Sequence, residues 1–220
     1  MYRRSAVLLA GAYAALAGLV AGGRLTHVDR WAVHHAMPGA GFATEKQTLV
    51  GALVPLWNAP WHGAVHIVAE LVTLPASFTP ATAIVAVAAL RLHRRPAVAL
   101  AAAYAFGNVV EVVTKAALTR PALGVSGFDN SYPSGHAMRA VLVAVAVAAA
   151  WPRARAWAAG WAASAIVFVE VGGFHVPSDI AGGLLLTGAL LATTSSCLQL
   201  GARSTAVRPS PACRPSSRAQ

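Results

Sequence analysis

Apolar runs that are too long and too free of charge for a water-soluble core are the feature that most constrains this chain. Ala6 to Gly23 and Leu71 to Leu90 each contain no charged residue, and further apolar runs follow from Ala97 to the neighbourhood of Leu198. About 18 or more such residues reach across the hydrocarbon of a bilayer as a helix, which satisfies its own backbone polar groups where no water can. Composition agrees, with 57% hydrophobic residues, 11% charged residues and a mean hydropathy of +0.59. A soluble domain of ordinary usage carries about a quarter charged residues. The expected fold is therefore all-α: an integral membrane six-helix bundle, because 220 residues leave room for about six spans of roughly 20 residues and no second domain.

The predicted spans are 6–23, 71–90, 97–118, 136–150, 156–171 and 178–198, within one domain over residues 1–200. Residues 201–220, rich in Pro, Ser and Arg, read as a disordered tail. The first run competes with a cleaved leader. It is longer than a signal core and ends in Gly22-Gly23-Arg24 without a small-x-small cleavage site, so an uncleaved helix is expected. Between Arg24 and Pro60 the chain is more polar, and Val28, Trp31, Ala32 and His35 recur at helical spacing, the pattern of an amphipathic helix on a membrane surface. His34 and His35 have no third ligand at metal-site spacing, so no metal and no cofactor is expected. Cys197 and Cys213 form no C-x-x-C pair and read as inert thiols.

A net charge of +10 raises the question of nucleic acid, but the arginines flank apolar runs instead of forming a patch on a soluble face. No nucleic-acid partner is expected. Six spans put both termini on the side of the Arg91–Arg95 and Arg153–Arg155 loops, which contain no acidic residue. Arginine-rich short loops stay in the cytoplasm, so the expectation is a multi-pass protein of the cell membrane with cytoplasmic termini. The connection from Lys115 to His136 and the turn from His175 to Asp179 then face outward.

Those two outward segments hold the chemistry. Lys115, Arg120, Ser134, Gly135, His136 and Arg139 crowd between two apolar runs, and His175 and Asp179 lie between the next two. A carboxylate four residues after a histidine lies one helical turn away on the same face and can hold one imidazole nitrogen, leaving the other free to attack. His136, just after Ser134-Gly135 at a helix start, can protonate a leaving alkoxide, while free N–H groups there favour an anion such as phosphate. Lys115 adds a charge suited to phosphate oxygens. Together they suggest phosphoryl transfer through a phosphohistidine to water. Asn108, Glu111 and Lys115 share one stripe of the third span, which at that depth must face protein or a wet cavity.

The order Lys115…Arg120-Pro121, Tyr132-Pro133-Ser134-Gly135-His136 and Gly173-Phe174-His175-Val176-Pro177-Ser178-Asp179 resembles the three-part signature of the type 2 phosphatidic acid phosphatase superfamily, over residues 71–198. That superfamily contains membrane lipid phosphatases and soluble haloperoxidases, and the hydropathy favours the former. The resemblance implies His175 as nucleophile, Asp179 as its orienting partner and His136 as acid, with Lys115, Ser134 and Gly135 binding phosphate. The substrate implied is a membrane lipid with a phosphate or pyrophosphate headgroup, in contact with the bilayer. Two arginines of the pattern are missing: their places hold Ala122, in the first motif, and Val169, before His175. Arg120 and Arg139 are the available replacements in phosphate binding. A non-catalytic binder of anionic lipid and a small transporter using the Asn108–Lys115 stripe are the rival readings.

Overall fold

The computed structural model describes residues 2–38, 40, 61–124 and 128–203. Among them every regular element is helical: α1 (Tyr2–Ala21), α2 (Thr26–His35), α3 (Trp61–Thr73), α4 (Phe78–Arg91), α5 (Arg94–Ala117), α6 (Gly135–Ala150), α7 (Arg155–Val171) and α8 (Pro177–Arg203). Prolines sit where a helix tolerates them. Pro80 and Pro96 fall in the first turns of α4 and α5, and Pro177 begins α8, positions whose N–H groups have no intrahelical partner.

The expected span over 71–90 is broken. Pro75 lies in a short 3₁₀ turn, Leu74–Ala76, and Ser77 is extended (ψ 153°), so α3 ends and α4 starts within that run. The break turns the Ala76 carbonyl and the Ser77 hydroxyl inward, where both are used below. Ala64–Arg91 together is still long and apolar enough to cross a membrane, as are Arg4–Ala21 and Arg94–Ala117.

Among the described residues three stretches are long and apolar enough to cross a membrane, where six spans were expected. The 16 residues of α6 reach only about 24 Å, against a hydrocarbon thickness of about 30 Å. This short helix packs against α4, α5, α7 and α8. At the other end of the chain, α8 continues to Arg203, beyond the expected limit at Leu198. Expectations for Cys213 and for the rest of the tail lie outside the described residues, as does most of the 39–60 segment.

Helix contacts in the interior are made by small residues. Ala76, Ala140, Ala158, Ala162 and Ala165 pack one cluster, and Ala81, Ala88 and Ala146 fill gaps around Leu100, Met138 and Leu142 in another. Small side chains let helices approach closely, the usual device where lipid removes the hydrophobic drive for association. The exterior is the inverse of a soluble protein's, with Val7, Leu8, Leu71, Phe78, Leu90, Phe106, Val112 and Trp157 more than half exposed. Inside lie Asp29, Asn108, Glu111, Arg120, Arg139, His175 and Asp179, all less than one-tenth exposed.

At one end of the bundle the Arg91 guanidinium lies 5.2 Å over the Trp151 ring, joining the two arginine-rich loops. At the opposite end residues 118–124 and 128–134, the turn after α7 and α2 meet. There α2 buries Asp29, Ala32 and Val33 and turns Val28 and Trp31 outward, with Trp31 stacked on His35 at 5.1 Å. The apolar stripe read from the sequence is therefore mostly its outer face. Ala32 alone of that stripe belongs to the inner one.

Candidate active site

The connection from α5 to α6 closes on itself, with the Arg120 N–H donating to the Asp129 carbonyl (3.1 Å) and the Ser131 N–H to that of Phe128 (3.3 Å). Its apolar residues Leu123 and Phe128 pack with Ala32, Val33 and Met37 from α2 and its C-terminal extension and with Val176, which cap this end of the bundle. The connection then docks on α8: the Ser134 N–H donates to the Asp179 carbonyl at 2.9 Å. Gly183 makes this contact possible, since a methyl group there would collide with the Ser134 carbonyl. The Ser134 hydroxyl accepts from the Ala137 N–H (3.2 Å) and caps α6. Ser134 and Gly135 are both buried, and the Ser134 hydroxyl keeps its own proton to donate.

On the other side of the cleft, the Phe174 and His175 N–H groups both donate to the Val169 carbonyl (3.1 and 3.3 Å), which fixes the turn before α8. The result brings the two histidines together, with the rings of His136 and His175 5.9 Å apart between centroids. Phe174 stacks on His136 at 6.0 Å, and the Ser77 hydroxyl lies 3.5 Å from His136 Nε2. His175 Nδ1 is 3.5 Å from Asp179 Oδ2 and has no hydrogen-bond partner. That separation is too long for a hydrogen bond. The Asp179 carboxylate is drawn elsewhere, accepting from Arg120 Nη1 (2.8 Å) and the Ser131 hydroxyl (2.5 Å).

The charged groups form two linked sets. In the first, Arg120 donates to Asp179, to Asp29 and to the Ser178 hydroxyl (3.3 Å), while Asp29 also accepts from the Ser178 hydroxyl (2.7 Å) and N–H (3.2 Å). Arg120, expected to contact phosphate, is here engaged by two carboxylates of the protein. Its side chain is 2% exposed and both terminal nitrogens are paired with carboxylates, so it is an anchor behind Asp179. In the second set, Glu111 accepts from Lys115 Nζ at 2.7 Å and from Arg139 Nη1 at 2.6 Å. Arg139 also donates to Asn108 Oδ1 (2.9 Å) and to the Ala76 carbonyl (2.8 Å). The stripe of Asn108, Glu111 and Lys115 therefore closes on α6 as an ion-paired cluster.

Neither missing arginine is replaced at its own position. Val169 is fully buried in an apolar cluster with Ala137 and Ile180, and the Ala122 carbonyl accepts from Arg30 (3.1 Å) on α2. Asp29 had no mark in the sequence: it is one acid in a helix whose spacing pointed to its other face. Ser77 and Ser131 were equally anonymous. Tyr132 completes the wall, stacked on Tyr13 at 5.7 Å and donating to the Tyr13 carbonyl (3.2 Å). Burial raises the Tyr132 phenol above its ordinary range, and the nearby Tyr13 and Asp179 push it further the same way, so it stays a neutral donor. Among the described residues no group of three or more His, Cys, Asp or Glu side chains could hold a metal ion, and His34 and His35 lie on the exposed side of α2.

Residues 96–202 match the family model of the PAP2 superfamily. The match begins in the first turn of α5 and runs through α8, so Lys115, the Ser-Gly-His turn and His175 to Asp179 fall within it, and Asp29 and Ser77 outside. No curated protein and no solved structure matches the chain.

Proposed function

We propose, on the premise that residues 96–202 belong to the PAP2 superfamily and that phosphatase chemistry comes with it, that this chain is an integral membrane phosphatase acting on a lipid phosphate or pyrophosphate. The observation that carries this reading is the meeting of His136, in the first turn of α6, and His175, in the turn before α8, at 5.9 Å with Asp179 behind His175. His175 Nε2 attacks phosphorus, and the bond to the leaving oxygen breaks as His136 gives that oxygen a proton. A water that returns its proton to His136 then attacks phosphorus, the P–N bond breaks, and phosphate departs. Asp179 orients the imidazole and offsets its charge, a contact that tightens from the present 3.5 Å once substrate is bound. Lys115 and Arg139 offset the growing negative charge, a role a metal plays elsewhere.

A lipid substrate fits the apolar exterior, since its tail can remain in the bilayer while the headgroup enters the polar end. That end is proposed to be extracytoplasmic, because the arginine-rich loops meet at the other. A second reading, a non-catalytic binder of anionic headgroups, is favoured by Val169 and Ala122 in the arginine positions and by the pairing of Arg120 with carboxylates. Phosphate release from a panel of lipid phosphates and diphosphates by purified protein in detergent separates the two. Turnover on any member supports the phosphatase, and binding of lipid phosphates without turnover supports the binder. Neither binding nor turnover would sink both.

A further inference from the structure

We propose that the Glu111 carboxylate is an internal occupant of the phosphate seat, which a substrate phosphate must displace to reach Lys115 and Arg139; the inference rests on the phosphatase reading. Both oxygens of Glu111 are engaged by the cations assigned to phosphate, Oε1 by Lys115 at 2.7 Å and Oε2 by Arg139 at 2.6 Å. The same carboxylate lies against the first turn of α6, close enough that any side chain at Gly135 would strike it. Gly135 is thus the residue that lets an anion approach this helix start, where the first N–H groups have no intrahelical acceptor. The carboxylate already there belongs to the protein.

Charge balance leads to the same conclusion. Lys115, Arg120 and Arg139 face Glu111, Asp29 and Asp179, three cations against three carboxylates. An incoming phosphate dianion finds no uncommitted positive charge in this set until one carboxylate leaves. Besides Arg120, Asp29 is held by the Ser178 hydroxyl and N–H and Asp179 by the Ser131 hydroxyl, whereas among the described residues Glu111 is held by the two cations alone. Glu111 is therefore the one that yields. Its departure would leave Arg139 in place, because the Asn108 and Ala76 oxygens still hold the guanidinium at 2.9 and 2.8 Å. Lys115, whose side chain is 29% exposed, opens toward the entering group. The pair of cations is thus pre-set, and Glu111 sets the threshold that a ligand's charge must exceed.

The test uses the full chain in detergent, with inorganic phosphate as the probe and thermal unfolding as the readout. Glu111→Gln should unfold at a lower temperature than wild type without phosphate, since two cations lose their counter-charge. Its midpoint should then rise more steeply with phosphate, giving a dissociation constant lower by tenfold or more. An equal or higher dissociation constant in Glu111→Gln would overturn the proposal. If Glu111→Gln does not fold, Glu111→Asp carries the test. It withdraws the carboxylate by one methylene from Gly135 and should tighten phosphate several-fold, and equal or weaker binding counts against the proposal in the same way. Failure of the phosphatase reading looks different: no release from any lipid phosphate by wild type, whatever phosphate does to the midpoints. Turnover by wild type with unaltered phosphate binding in the variants sinks the Glu111 inference alone.

Discussion

Replacing Asp29 by alanine tests whether the site depends on a helix that lies outside the matched family region. Asp29 is 1% exposed and accepts three kinds of hydrogen bond, from the Arg120 guanidinium, the Ser178 hydroxyl and the Ser178 N–H. Its removal leaves a buried Arg120 with one of its two carboxylates and strands the donors on Ser178. Breaking a buried ion pair by deleting one partner costs about 3–5 kcal/mol. At about 2–4 °C per kcal/mol for a chain of this size, the thermal midpoint in detergent should fall on the order of 10 °C. Because Arg120 also fixes Asp179, turnover should fall with it. A cycle with Arg120→Ala distinguishes a shared network from two independent contacts: the double variant should lose little more than either single one. A midpoint within a degree or two of wild type, or fully additive losses, would refute the reasoning.

Three further outcomes follow from the same geometry. Arg139→Ala should lower kcat/KM for a lipid phosphate by about two to three decades, the loss typical of one charge-assisted donor to a transition state; steady-state phosphate release measures it, and a change below about threefold would remove Arg139 from phosphate binding. Turnover should survive EDTA if Lys115 and Arg139 supply the charge as proposed; loss with chelator and recovery with a divalent ion would require a different mechanism. In a background with Cys197 and Cys213 replaced by serine, a cysteine at exposed Asp129 should react with an impermeant thiol reagent in intact cells and one at exposed Arg153 should not; the reverse pattern would invert the topology.

Hydropathy made the helices legible in the sequence, and local spacing made their polar ends legible. The four-residue spacing of His175 and Asp179 suggested proximity, and His175, two residues before α8, lies 3.5 Å from the Asp179 carboxylate; Ser134 before Gly135 is an ordinary cap. What spacing could not reveal was pairing across the bundle. Asp29 and Arg120 are far apart in the chain, and only the docking of α2 brings them together. Arg120 looked like a spare cation because residues 116–128 around it contain no acid, yet two carboxylates from distant helices claim it. Glu111 was visible as part of a stripe, but its role depends on Arg139 from α6 and on the bare backbone of Gly135. The interruption at Leu74–Ser77 was marked by Pro75, while the inward turn of Ala76 and Ser77 is a consequence of tertiary packing.

The central claim is that His175 carries the phosphoryl group. Phosphate release from a lipid phosphate by purified wild type and His175→Ala, compared side by side in detergent with folding verified by thermal unfolding, tests it most directly. The account predicts turnover by wild type and none above background in a folded His175→Ala protein, since the covalent step is gone. Undiminished turnover in that variant would contradict it.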